Sequence, residues 1–261
     1  MILYFSGTGN SRYAASIFAR ETGDELLCIN DILRDRVLSP YTARYAFSSD
    51  TPFVFVAPTY CYRMPRVVEQ FIRDSRFEGS RRAYFYLTCG SGTGEAAREA
   101  EKLCRETELE FMGLSSVVMP ENYITLFEAP SYDEAQGIIR AATSRIESAA
   151  RLVRFGKSFQ DPNGGHGLAA LPTRLNGAFY RYFVNDKKYT VGETCIGCGQ
   201  CARACPLANI RMVDGRPTWN GNCTQCQACI GICPQDAIEF GSRSRGKRRY
   251  FLFADGQQKN S

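Results

Sequence analysis

Eight of the twelve cysteines fall between Cys195 and Cys233, in the runs CIGCGQCARACP and CTQCQACIGICP. The first holds Cys195, Cys198, Cys201, Cys205 and Pro206, and the second holds Cys223, Cys226, Cys229, Cys233 and Pro234. Each member of the second run follows its counterpart by 28 residues, as Cys223 follows Cys195. The segment is therefore an internal repeat, and Ile210 and Ile238 keep the same offset, as expected if each half ends in an equivalent short strand. Three cysteines spaced two residues apart wrap a tight loop around one iron-sulfur cube, and the proline after the fourth turns the chain away. Paired CxxC spacings also suit tetrahedral zinc. The third cysteine, the CxxxCP ending and the duplication favour cubes. No export signal stands ahead of the first apolar run, so metal ligation is a better reading than disulfides.

A second loop carries different chemistry. Residues 6–11 read SGTGNS, between the apolar run ILYF and the helical pattern RYAASIFAR. Backbone amides at a helix N-terminus, with the hydroxyls of Ser6, Thr8 and Ser11 and the amide of Asn10, suit a phosphate. The GK[ST] ending of a Walker loop is missing. Gly7 and Gly9 match the first two glycines of a dinucleotide turn, and Asp31 stands at a plausible distance for a ribose contact, but Arg12 replaces the third glycine. On this loop alone a phosphate monoester and a dinucleotide stand level.

The elements that must position these residues alternate short apolar runs with amphipathic helices, the pattern of a doubly wound α/β sheet. ILYF, ELLCI (25–29), FVFVA (53–57), AYFYL (83–87) and FMGLSSVVM (111–119) read as five strands, with helices from Ser11 to Glu21, Glu95 to Glu106 and Tyr132 to Phe155. FVFVA is continuous enough to be buried on both faces. Turn formers at 161–167 place the end of this domain, 1–156, near Gly156. A linker (157–189) with a short aromatic helix at 174–184 follows, then a cysteine-rich unit (190–240) and a basic tail (241–261) containing RSRGKRR. The cysteine-rich unit is too poor in large apolar side chains to fold alone, so bound metal must supply stability.

Two further loops resolve the phosphate question. APTYCYRMP follows the third strand and TCGSGTG the fourth. In a five-stranded parallel sheet of order 2-1-3-4-5 both lie beside the first loop at the carboxyl edge. Residues 1–155 thus resemble the flavodoxin family, and the resemblance implies FMN. Ser6, Gly7, Thr8, Gly9, Asn10 and Ser11 would cradle the phosphate. Pro58, Thr59 and Tyr60 would border one side of the ring, and Thr88, Cys89, Gly90, Ser91 and Gly92 the other. Tyr60 or Tyr62 is placed to stack on the ring, Cys61 and Cys89 fall in the same loops, and PENYITLF (120–127) is placed to form a lid. The fourth-strand loop has no aromatic plug, which leaves one ring face open.

The cysteine runs are similar to those of bacterial ferredoxins, in which the fourth cysteine serves the other cluster. That resemblance implies a small α+β domain holding two [4Fe-4S] clusters. One takes Cys195, Cys198, Cys201 and Cys233; the other takes Cys223, Cys226, Cys229 and Cys205.

Together the halves resemble flavodoxin-ferredoxin fusion proteins. The expected role is electron transfer between two clusters and FMN, with FMN-dependent reduction of a small acceptor as the alternative. A redox partner protein or small acceptor is implied. The formal charge of +5 is largely offset by two clusters and a phosphate carrying roughly −2 each, so nucleic acid is not expected and the basic tail reads as solvated. The lone histidine, His166, reads as a surface residue. With no long apolar run, a cytoplasmic protein without a membrane span is expected.

Overall fold

The computed structural model describes residues 1–38, 45–165, 175–254 and 256–260. His166 lies outside them. Strand and helix alternate as β1 (Ile2–Tyr4), α1 (Asn10–Thr22), β2 (Leu26–Cys28), α2 (Ile29–Leu38), β3 (Tyr45–Ser49), β4 (Phe53–Pro58), α3 (Arg66–Arg73), β5 (Ser75–Gly79), β6 (Arg82–Cys89), α4 (Ala96–Glu106), β7 (Glu110–Val118) and α5 (Tyr132–Arg154). Five strands form one parallel sheet, β2-β1-β4-β6-β7, the flavodoxin-like order expected. Along β4, Val54 and Val56 face a core shared with α1 and α5, while Phe53, Phe55 and Ala57 face one shared with α3 and α4. A strand covered on both faces needs no polar alternation, hence its unbroken apolar run. Ser131 and Glu134 form a capping box at the start of α5.

β3 and β5 form an additional parallel pair that the sequence reading missed. Each carries one central phenylalanine, Phe47 and Phe77, stacked at 5.8 Å. Strands this short, YAFSS and SRFEG, are cut by serine and charged residues before an apolar run long enough to detect can form.

Beyond α5, Phe159 bridges to Gly113 of β7, and Asp161 accepts hydrogen bonds from the hydroxyls of Thr93 and Ser116. The first part of the linker is thereby fastened along the sheet. The short aromatic helix is α6 (Asn176–Tyr182). In the cysteine-rich unit β8 (Tyr189–Val191) pairs antiparallel with β11 (Ile238–Phe240), and β9 (Ile210–Val213) pairs with β10 (Arg216–Trp219). Two short helices, α7 (Gln200–Arg203) and α8 (Ala228–Ile232), contain the third cysteine of each run. The duplication extends to the backbone. Gly197 and Gln225 have φ of 68° and 56°, Gly199 and Gln227 70° and 61°, and Ala208 and Asp236 46° and 47°.

The segment after residue 240 is solvated only in part: Arg243, Arg245 and Arg248 are exposed, as expected of a basic tail, but residues 249–252 are buried. β12 (Tyr250–Leu252) pairs with β13 (Gln258–Asn260), and Tyr250 and Leu252 are only 2% and 1% exposed. The buried Arg249 guanidinium meets Glu239 at 2.7 Å, and Lys247 meets Glu128 at 3.3 Å. The run of basic residues leads directly into Tyr250, Phe251 and Leu252, whose burial fixes the segment, while local acids answer two of its charges.

This segment and the cysteine-rich unit close over the first loop of the sheet. The Leu252 amide donates to the Thr8 carbonyl at 2.8 Å, Arg12 donates to the Leu252 carbonyl, and the Tyr250 hydroxyl donates to Asn10 Oδ1 at 2.7 Å. A Cβ on Gly9 (φ 100°) would lie 1.9 Å from the Leu252 carbonyl oxygen, and one on Gly7 2.1 Å from that of Cys226. Among the described residues no helix is long and apolar enough to cross a membrane.

Substituting Gly9→Ala should therefore cost about 3 kcal/mol or more in anaerobic urea unfolding of the loaded protein, by clash and by left-handed strain together. Gly221→Ala, at φ 89° with nothing within 4 Å of the added carbon, should cost only about 1 kcal/mol. Equal losses at the two sites would contradict the close-approach account.

Candidate functional site

The eight clustered cysteines divide between two cavities. Cys195, Cys198, Cys201 and Cys233 line one, with Ile196, Met212, Pro217 and Ile238 among its walls. Cys205, Cys223, Cys226 and Cys229 line the other, beneath Tyr189 and Trp219, whose rings stack at 5.1 Å. Each cavity thus takes three cysteines from one run and the fourth from the other. Backbone amides reach the sulfurs: Asn209 to Cys205 at 3.3 Å, Gln225 to Cys223 at 3.2 Å and Ala237 to Cys233 at 3.4 Å. Burial pushes the Cys223 thiol up to about 12 and the Cys201 thiol up to about 11. Eight thiols in two groups of four, with amides aimed at the sulfurs and largely apolar walls, fit two thiolate-ligated clusters.

The carboxyl edge of the sheet holds a third cavity of about 420 Å³. Pro58, Thr59 and Tyr60 line one part, and Thr88, Cys89, Gly90, Ser91 and Gly92 another. The Tyr60–Arg63 turn is closed by backbone bonds in both directions, 2.8 and 3.3 Å, with Cys61 and Tyr62 at φ 47° and 62°. Two consecutive left-handed residues without a glycine store strain. The buried Asn176 of α6 holds the turn by donating to the carbonyls of Tyr60 and Cys61, both at 3.1 Å. Burial raises the thiols of both Cys61 and Cys89, the latter to about 12, so neither is poised as a thiolate.

This cavity fits a planar nucleotide ring. Among the described residues, the Thr59 hydroxyl and the Tyr60 phenol are buried without a hydrogen-bond partner, on residues that line this wall, and no side chain caps the N-terminus of α1 beside Asn10. Burial, with Cys226 next to it, drives the Tyr60 phenol far up, so it stays neutral. The first loop enters less than expected. Of its six residues only Asn10 lines the cavity. Ser6 Oγ accepts from the Gly9 amide, Thr8 Oγ1 from Asn122, and Ser11 Oγ shares a hydrogen with Thr88. Gly7 and Gly9 face the carbonyls of Cys226 and Leu252. Of the six residues expected to surround a phosphate, the structure thus places Asn10 on the wall; Gly7 and Gly9 dock the C-terminal half, and the three hydroxyls bond within the loop, to Asn122 and to Thr88.

The sequence reading missed several lining residues. Among the described residues, Glu121 is the only charged side chain on the wall. Its Oε1 accepts from the amides of Asn122 and Tyr123 at 2.9 and 2.8 Å, and Oε2 lies against Gly90, 2.4 Å from where a Cβ would stand. Glu121, Asn122, Tyr123, Leu126 and Phe127 all come from the segment read as a lid, so the signal was present without residue roles. Phe179 of α6 and the pair Thr224 and Gln225 complete the wall. Gln225 is held by the Tyr123 hydroxyl at 3.1 Å and donates to the Asn185 carbonyl.

The 4Fe-4S dicluster domain family matches residues 194–238. A component of an ion-translocating oxidoreductase complex from Methanosarcina acetivorans is 46% identical over 55 residues, covering 21% of each chain. An uncharacterized protein from the rpl9-rpl11 intergenic region of Porphyra purpurea is 36% identical over 52 residues, 17% of this chain and 69% of that one. The chain thus spans about a fifth of the length of the ion-translocating relative. Among solved structures, Megasphaera elsdenii flavodoxin aligns over 58% of this chain and 99% of its own at 18% identity and TM-score 0.34. Residues 194–238 match the 4Fe-4S dicluster domain family and follow a sheet of flavodoxin-like strand order, so the chain joins a flavodoxin-like sheet to a ferredoxin-type domain.

Proposed function

We propose that the chain relays electrons between two [4Fe-4S] clusters, held by the two sets of four cysteines, and FMN held in the cavity at the sheet edge. The observation that carries this reading is a shared wall. Thr224 and Gln225 line the nucleotide cavity, and their neighbours Cys223 and Cys226 line the adjoining cysteine cavity. When bound, the flavin supplies two-electron chemistry and the clusters one-electron transfer, which is what a coupling device needs.

The protein's part is placement. Tyr60, in contact with Cys226 across the boundary, stands between the two cavities. Thr59 offers an unpartnered hydroxyl to the ring, and the first amides of α1 offer the anion site nearest Asn10. Glu121 places a fixed negative charge beside the ring. Domains follow these roles: the sheet to about residue 156, the linker with α6 bracing the strained turn, and the ferredoxin unit from about 189 to the C-terminal strands.

One observation favours a second reading. Leu126 and Phe127, at 50% and 52% exposure, flank the cavity and leave it open to solvent, as reduction of a small acceptor there requires. Anaerobic steady-state assays with small acceptors separate a reductase from a pure carrier.

Anaerobic reconstitution should yield about eight iron, about eight sulfide and about one FMN per chain; zinc in place of iron, or no flavin uptake, contradicts the reading. Glu121→Gln removes a charge that opposes electron gain on the ring. It should raise the two-electron flavin potential by roughly 20–40 mV, about 1–2 kcal/mol, in anaerobic spectrotitration. An unchanged or lowered potential would remove Glu121 from that role.

A further inference from the structure

We propose that an open groove beside Cys223 docks a small acidic electron-carrier protein and gives the second cysteine cavity its own electron port. This rests on the cluster reading above. The groove has a volume of about 600 Å³ and is lined by Arg66, Tyr180, Arg181, Val184, Leu207 and Cys223, among others. Cys223 lines both the groove and the cysteine cavity behind it, so among the described residues it is the one ligand candidate that reaches this face.

The groove is electrostatically one-sided. Among the described residues it carries two arginines and no acidic residue. Arg66 is held in place, its guanidinium 4.3 Å from the Tyr180 ring and 3.4 Å from Asn176 Oδ1, while Arg181 is exposed on α6. Nearby acids are engaged elsewhere. Glu69 pairs with Arg63 at 3.0 Å and Arg73 at 3.7 Å, and Asp186 accepts from Asn209 and the Gly221 amide, each at 2.8 Å. Valine and leucine inside a cationic rim match the make-up of a protein interface, in which arginine and apolar groups sit centrally and charge steers the encounter. The shape is that of an open groove, which a protein edge fills more readily than an enclosed small anion does.

The other cavity has its own exposure, since Cys198 lies at the surface. The two ports are thus on different cysteine sets. An electron arriving through the groove reaches the cavity that shares a wall with the nucleotide site without crossing the outer one. The step is a single electron transfer: the carrier is oxidised by one electron, the protein is reduced by one, and no bond or proton changes.

The test uses the loaded protein and a small acidic [4Fe-4S] ferredoxin. Calorimetric titration with the oxidised ferredoxin at low ionic strength should show Arg181→Glu raising Kd about tenfold and Arg66→Gln by a smaller factor, both differences shrinking as salt is added. Reduction by the reduced ferredoxin should slow in parallel, while reduction by the methyl viologen radical cation should not. Unchanged Kd and rates in both variants overturn the proposal. So does binding of inorganic phosphate with the same Arg181 dependence when ferredoxin shows none, because that assigns the groove to a small anion. Absorption spectra report cluster and flavin content, so failure of the underlying cofactor reading appears there, independently of the docking result.

Discussion

The structure depends on one close approach of backbones. The carbonyl of Cys226 abuts Gly7, and that of Leu252 abuts Gly9, at distances that exclude any Cβ. Through these two contacts the ferredoxin unit and the C-terminal strands sit directly on the strand-to-helix loop of the flavodoxin-like sheet. Any larger residue would separate the halves, and with them the shared wall of Thr224 and Gln225. Electron transfer between separate sites depends on that proximity, so the glycines of a loop built like a phosphate cradle serve the joint between domains as well.

The repeat in the ferredoxin unit is symmetric in backbone and asymmetric in side chain. The left-handed positions occupied by Gly197 and Gly199 in the first half are occupied by Gln225 and Gln227 in the second. A side chain at positive φ costs on the order of 1–2 kcal/mol. Here the side chains offset part of that cost through hydrogen bonds, Gln225 to Tyr123 and Asn185, and Gln227 to the Tyr189 hydroxyl at 3.3 Å. The glycine half faces solvent near Cys198, and the glutamine half faces the sheet. Of the two strained glutamines, Gln225 ties the repeat to the cavity at the sheet edge, while Gln227 stays within the cysteine-rich unit.

Much of this was legible in the sequence. Strands buried on both faces announce themselves as apolar runs, and the 28-residue offset of the cysteine runs shows how the cysteines divide once the interleaved pattern is applied. What escaped was long-range and polar. β3 and β5 pair through Phe47, half-buried, and Phe77, buried. The basic C-terminal segment reads as solvated until Arg249 is seen paired with Glu239 and Tyr250, Phe251 and Leu252 beneath the first loop. Glu121 lay in a segment with no periodicity to give it a role. Asn176 sits in an aromatic helix far in sequence from the strained turn it holds, and no local signal marks such a contact.

The central claim is that electrons pass within one chain across the wall formed by Thr224 and Gln225. Stopped-flow reduction of the anaerobic holoprotein, followed separately at cluster and flavin absorbances over a range of protein concentrations, tests it most directly. The account predicts that, once the clusters have been reduced, flavin bleaching proceeds by a first-order phase independent of protein concentration. Flavin reduction whose rate rises in proportion to protein concentration would show transfer between molecules and contradict it.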